Sequence, residues 1–275
     1  MKAVLAFMGV LAIAGYAMEG KKSGTHQTAA KPAKAKPAPK PTLDDIAFSV
    51  AHAGAGPVNP ANVYNNLFPI NAGNSELIWR DPAKKQVLKV ISVMSLKAYN
   101  SFYEGQKTTT SVIAGPPWVT AAPQLKRFCQ GTGLKGAKVI DRIKEWLGLA
   151  PDRAYEMAVE LWVDRDDLLR PCPDPEITDT KCEIAFEMRN GLPVNPPVSG
   201  FPVTTKDGHI PSYLAFFESI YKQQYAPGGD PWTRLGYTCD WNPATPIQGA
   251  SEYILPPGKT AVIGDAFPLD RYCAG

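Results

Sequence analysis

The densest concentration of residues able to bind or react lies between Asp230 and Trp241. There Trp232, Tyr237 and Trp241 stand within twelve residues of Arg234, Asp230 and Asp240. Large rings with a polar handle, beside a guanidinium, suit carbohydrate stacking, peptide docking or the centre of a protein interface. Trp118, set off by Gly115-Pro116-Pro117, is a weaker instance of the same kind. We expect Trp118, Trp232, Arg234, Tyr237 and Trp241 to form a ligand- or partner-binding surface. The competing expectation is catalysis, for which the best side chains are His209, Arg234, Asp240 and Glu252. His209 sits in Asp207-Gly208-His209-Ile210-Pro211, a loop at the entrance of a helix, where a base is accessible.

The common catalytic patterns are absent. Of the histidines His26, His52 and His209, none belongs to an H-E-x-x-H, and no G-x-S-x-G occurs. A calcium site would have to draw oxygens from Asp164 to Asp167, or from Asp174, Glu176 and Asp179. Neither run has the EF-hand spacing, and both read as solvated turns and helix caps. Glu156 and Glu160 share a strand face, but four residues of strand separate them by ~13 Å. A glycosidase pair needs about 5–9.5 Å, so these two do not form one. We expect no metal and no cofactor.

Two stretches resemble known motifs. Gly131-Thr132-Gly133-Leu134-Lys135-Gly136 spells G-x-G-x-x-G, followed by a helix and a strand ending at Asp164, an order that resembles a Rossmann unit. Residues 123–130 before it read as a helix rather than the buried strand that fingerprint requires. Asp164 also lies beyond the usual spacing of about 20 residues. We read the motif as a turn between two helices. Ser251-Glu252-Tyr253-Ile254-Leu255-Pro256-Pro257-Gly258 resembles the strand bearing the catalytic Glu of ADP-ribosyltransferases. Thr108-Thr109-Thr110-Ser111 would match that family's Ser/Thr strand and Arg80 its Arg. The resemblance implies that Glu252 stabilises a cationic ribose as nicotinamide leaves. Ala250 stands where the family carries Glu or Gln, and the stretch from Ser111 to Glu252 is much longer than the family's.

The elements that would hold these residues begin after a segment of a different kind. Residues 1–17 join Lys2 to an apolar run from Ala3 to Ala14, with Gly15 and Ala17 placed for cleavage before Met18. This is the pattern of a secretory signal peptide. Its apolar stretch falls short of the roughly 20 residues of a spanning helix, so no membrane span is expected once it is removed. Residues 18–42 are rich in Lys, Ala and Pro with no aromatic residue, and read as a disordered linker. The net charge is +3, of which Lys2 supplies +1 and residues 18–42 supply +5, leaving −3 for residues 43–275. The basic character therefore belongs to the tail and is no nucleic-acid footprint. An exported protein, periplasmic or secreted, with an unidentified ligand or an envelope protein or polymer as partner, is the expectation.

Export makes disulfides the default for Cys129, Cys172, Cys182, Cys239 and Cys273. Cys172–Cys182 is the best local pair, and Cys239–Cys273 the second choice. Periodicity predicts helices at 44–52, 125–130, 137–147 and 212–224. The last should bury Leu214, Phe217, Ile220 and Tyr221. Strands are predicted at 76–80, 86–94, 118–122, 155–163 and 181–186, and a terminal hairpin pairs 252–255 with 260–264 across Pro256-Pro257-Gly258-Lys259. Residues 188–208 read as a long loop. The 27 prolines exclude a helical bundle. The expected architecture is one α+β domain over 43–275, with a mixed or antiparallel sheet packed by several helices.

Overall fold

Apolar residues on both faces of Val87–Met94 demand cover on both sides, and the fold is built around that strand. The computed structural model describes residues 40–113 and 115–274. The signal peptide expected at 1–17 and the linker up to residue 39 lie outside the described residues. In chain order the elements are α1 (Leu43–Ala55), β1 (Val87–Met94), α2 (Leu96–Phe102), β2 (Thr108–Thr110), β3 (Trp118–Ala121), α3 (Ala122–Thr132), α4 (Ala137–Trp146) and β4 (Met157–Asp164). There follow β5 (Met188–Arg189), β6 (Leu192–Pro193), β7 (Val203–Thr205), β8 (Gly208–Ile210), α5 (Tyr213–Gln224), β9 (Tyr237–Cys239), β10 (Gln248–Ser251), β11 (Tyr253–Ile254), β12 (Thr260–Pro268) and α6 (Leu269–Ala274).

Six strands form one antiparallel sheet in the order β11-β3-β1-β4-β12-β2, with β5–β6, β7–β8 and β9–β10 as small separate pairs. The described residues thus form an α+β domain. β1 and β4 pair along their whole length, from Val87 opposite Asp164 to Met94 opposite Met157. One face of this pair carries Leu88, Val90, Val159, Leu161 and Val163 into a core shared with Tyr253 and Leu255. The other face sets Ile91 and Ala158 against Leu125, Val139, Ile143 and Leu269 of α3, α4 and α6. Each fully buried aliphatic side chain contributes roughly 1.5–3 kcal/mol of transfer free energy.

The sheet curls until its edges meet. Ser111, just after β2, donates its N–H to Lys259 O at 2.8 Å and accepts from Gly258 N–H at 2.9 Å. Its hydroxyl donates to Leu255 O at 2.7 Å, just beyond β11. The Pro256–Lys259 turn therefore bridges opposite ends of the sheet. This corrects the expected terminal hairpin: β11 pairs with β3, and β12 pairs with β4 and β2. The two prolines give a wide turn, and the curl gives each strand a better partner than its sequence neighbour.

Other expectations shift for identifiable reasons. Residues 76–80 keep only one bridge, Trp79 with Leu88, because Asn71 and Asn74 side chains tie the preceding backbone into turns. Residues 181–186 form no strand. Cys182 is bonded to Cys172, and Lys181 O is taken by the Arg170 guanidinium. The 188–208 loop contains β5, β6 and most of the β7–β8 hairpin. Ser212 caps α5 by accepting from Ala215 N–H, but the buried face is Tyr213, Phe216 and Ile220, while Tyr221 is exposed. The second disulfide is Cys129–Cys273, joining α3 to α6 with Cα atoms 5.6 Å apart. Cys239 is a buried free thiol on β9. The expected Cys239–Cys273 bond fails because α6 packs on α3, whereas β9 pairs with β10.

Candidate functional site

A cleft of about 390 Å³ opens between the sheet and the segment around Trp232. One wall is β1 from Ile91 to Met94 and β3 from Trp118 to Thr120. The opposite wall is the turn Leu147–Leu149 after α4 together with Asp230, Pro231 and Trp232. Phe102 and Tyr103 at the end of α2, Tyr155 before β4, Gln224 at the end of α5, Thr238 on β9 and Glu252 also line it. Phe102 and Gly115 are exposed and mark where the cleft meets solvent. The volume lies in the range of small-molecule sites, ~300–1,000 Å³.

Local structure dictates how Glu252 arrives there. It lies between β10 and β11, and its N–H donates to Gly236 O at 3.1 Å. Strand alternation sends Tyr253 into the sheet core and Ile254 toward Trp232. Glu252 is only 5% exposed, and its Oε1 has no hydrogen-bond partner. Burial pushes its carboxyl up to about 8, opposed in part by the neighbouring Trp232 indole. It is therefore largely neutral at pH 7.

Trp118 and Trp232 meet edge to face with ring centres 6.1 Å apart, and Phe217 packs on the far side of Trp232 at 4.8 Å. The Trp232 N–H is buried without a partner. Asp230 pairs one oxygen with Arg153 Nη1 at 3.1 Å, while Oδ1 is buried and unpartnered. Burial raises the Asp230 carboxyl, against the pull of Arg153. Burial, aided by the Asp230 charge, pushes Tyr155 up to about 12. Gly148, at φ +67°, lets the α4 turn press against β9, since a Cβ there would lie 3.1 Å from Cys239 O.

Of the residues singled out from sequence, Trp118, Trp232 and Glu252 converge on this cleft. The others lie outside it. Arg234 donates to Gly56 O at the end of α1 and lies over the Tyr221 and Tyr225 rings at 5.3 and 5.4 Å. Tyr237 is buried and donates to Asn62 O at 2.7 Å. Asp240 accepts two bonds from Arg142, at 3.0 and 2.6 Å. Trp241 donates to Leu149 O at 3.0 Å and packs edge-on to Phe48. His209 is exposed on the β7–β8 hairpin, its Nδ1 2.8 Å from Thr204 Oγ1. The spacing of 230–241 could not separate these roles. Asp230, Tyr155 and Tyr103 were not among the expected site residues, and only the curl of the chain brings them to the cleft.

Arg80 is exposed beside a turn and Ser111 is committed to Leu255 O, and neither lines the cleft with Glu252. Gly133 and Gly136 end α3 and begin α4, so the G-x-G-x-x-G is a turn between two helices. The carboxylates of Asp174, Glu176 and Asp179 gather within 4.8 Å of one another. Their positive charge comes from the fully buried Arg170, which donates to Asp179 at 2.8 Å. Burial works to raise Glu176, but hydrogen bonds from Thr178 and Asp179 hold it down at about 2. Glu156 caps α2 through Leu96 N–H, and Glu160 pairs with Lys89.

Comparison with protein-family models, curated proteins and solved structures finds no match to this chain. Two disulfides, and no helix among the described residues long and apolar enough to cross a membrane, are compatible with export.

Proposed function

We propose that the chain is exported and that its folded domain binds a small molecule in the cleft between Trp118, Trp232 and Glu252. The observation that carries this reading is the Glu252 carboxyl, buried beside the cleft with Oε1 unpartnered. Leaving such a group unsatisfied costs about 1–3 kcal/mol, a cost that a ligand bonded to Oε1 would offset. The aromatic walls supply apolar contact, and the few polar atoms supply orientation. A fragment screen by thermal shift tests it. Ligands that raise the melting temperature of the wild type are expected to lose that effect in Trp118→Ala and Trp232→Ala. A hit whose shift survives both substitutions binds elsewhere and sinks the reading. Amino-terminal sequencing of the protein recovered outside the cytoplasm tests export, with Met18 as the expected first residue.

A second reading is favoured by the value of about 8 for Glu252, which suits a general acid–base near neutrality. In that case Glu252→Gln is expected to keep ligand binding and abolish turnover. Equal turnover in the variant would exclude it.

A further inference from the structure

We propose that the cleft is built for an organic ammonium ion, its nitrogen at the Glu252 carboxylate and its apolar body against Trp118 and Trp232. This rests on the binding reading above and names the class of ligand. The first support is the balance of donors and acceptors. Glu252 Oε1 and Asp230 Oδ1 are two buried acceptors without a well-formed hydrogen bond, both on residues that line the cleft, and the Trp232 indole and the Ala150 backbone lie close enough to lower the respective carboxyls. The donors nearby are already committed. Ser92 Oγ donates to Trp118 O, Thr120 Oγ1 to Ala121 O and Thr238 Oγ1 to Trp146 O. Among the buried side-chain donors of the described lining residues, Trp232 Nε1, beside Glu252, is the one without a partner, and the Gln224 amide also lines the cleft. Once Glu252 has given up its proton, what the site lacks is a ligand that donates, and an ammonium brings up to three N–H groups.

The second support is charge. None of the described lining residues is Lys, Arg or His, whereas two are carboxylic acids. Arg153, the cation beside Asp230, is already engaged by Asp230 Oδ2 and Gly228 O. An anion entering this space would find no counter-charge. The third is the rings. Trp118, Trp232, Tyr155, Tyr103 and Phe102 all line the cleft. Aromatic faces attract cations, and desolvated pairs of this kind are the strong ones.

The proton on Glu252 gives the proposal a sign. The titratable groups around this carboxyl are Tyr213 on α5, Tyr237 and Cys239 on β9, and across the cleft Asp230, Tyr155 and Tyr103. Burial raises all four phenols and the thiol, so they stay neutral through pH 8. Burial raises the Asp230 carboxyl, and Arg153 acts against that rise. An arriving ammonium must therefore displace the Glu252 proton below pH 8. Its affinity should rise about tenfold per pH unit from pH 6 towards pH 8 and then level off. A neutral ligand that accepts a bond from protonated Glu252 shows the opposite slope.

The test is a set of NMR titrations of the full chain at pH 6, 7 and 8 with four probes of one shape: phenethylamine, its trimethylammonium analogue, 2-phenylethanol and 3-phenylpropanoate. We expect the two cations to bind at least tenfold more tightly than the alcohol at pH 8, with the carboxylate weakest. We also expect Glu252→Gln to erase that preference while the alcohol binds within twofold of wild type. Should this variant fail to fold, the wild-type pH profile decides the matter alone. If the alcohol or the carboxylate binds as tightly as the amines, or amine affinity falls as pH rises, the ammonium proposal is overturned and the binding cleft stands. If no probe binds, both are overturned.

Discussion

Two buried acids sit at opposite ends of a short stretch of chain, and their surroundings differ in kind. Asp240 is held by both arms of Arg142, which itself lies 4.9 Å from the Phe128 ring centre and also reaches Glu145. Glu252 is buried to the same degree, yet faces a cleft with an oxygen unpaired. The neighbouring indoles repeat the contrast: Trp241 donates to Leu149 O, whereas Trp232 has a buried N–H with no acceptor. Residues alike in type, burial and neighbourhood in sequence thus divide into a satisfied set that holds α4 against the 237–242 segment and an unsatisfied set that waits on something else. For these two acids and two indoles, satisfaction of polar atoms, more than residue type, marks which face the cleft, although Trp79, Gln124, Arg170 and Arg234 also carry a buried unpartnered atom away from it.

Asp240→Ala gives the sharpest test of that contrast. It removes both bonds that Asp240 accepts from Arg142, which is 14% exposed and keeps only Glu145 at 3.2 Å, and is expected to cost about 1.5–3 kcal/mol in urea unfolding. A loss under ~1 kcal/mol would mean the pair is not the clamp described. Next comes Glu252→Gln. The folded carboxyl is raised from 4.5 to about 8, so between those values the folded state holds a proton that the unfolded state has released. Wild-type stability must fall as pH rises across this window and level off above it. In the variant that contribution to the slope should vanish, leaving it close to wild type near pH 4.5 and more stable at pH 8. Parallel stability–pH curves for the two proteins would remove Glu252 from the unsatisfied set. Smaller still is the difference between Trp241→Phe and Trp232→Phe. Both lose one ring of the indole, but only the first strands Leu149 O, so it should be less stable by about 1 kcal/mol. Equal melting curves would erase the distinction between the two indoles.

Much of the scaffold was legible because it is local. The eleven-residue span of Cys172 to Cys182 fits its disulfide, and Ser212 before an apolar repeat marks α5. The chemistry of 230–241 was legible only as a concentration of aromatic and charged residues. Which of those residues face a cleft depends on α4, β3 and α1, all distant in sequence. Asp240 and Trp241 find their partners on α4 and the turn after it, and Arg234 finds Gly56 O. The Cys129–Cys273 bond spans 144 residues, and only the docking of α6 on α3 selects it. Glu252 stood out from sequence through a resemblance. Its burial and its missing partner arise from the curl, which no local pattern encodes.

That curl also bears on how copies of the chain treat one another. β11 is two residues long, and its Ile254 exchanges bonds with Leu169 at 3.1 and 2.9 Å, while β2 is three residues long and ends in the Ser111 bridge. The main sheet thus offers little open backbone ladder for a foreign strand to extend. The short, covered edges give the domain a resistance to edge-to-edge aggregation that its surface charge alone would not supply.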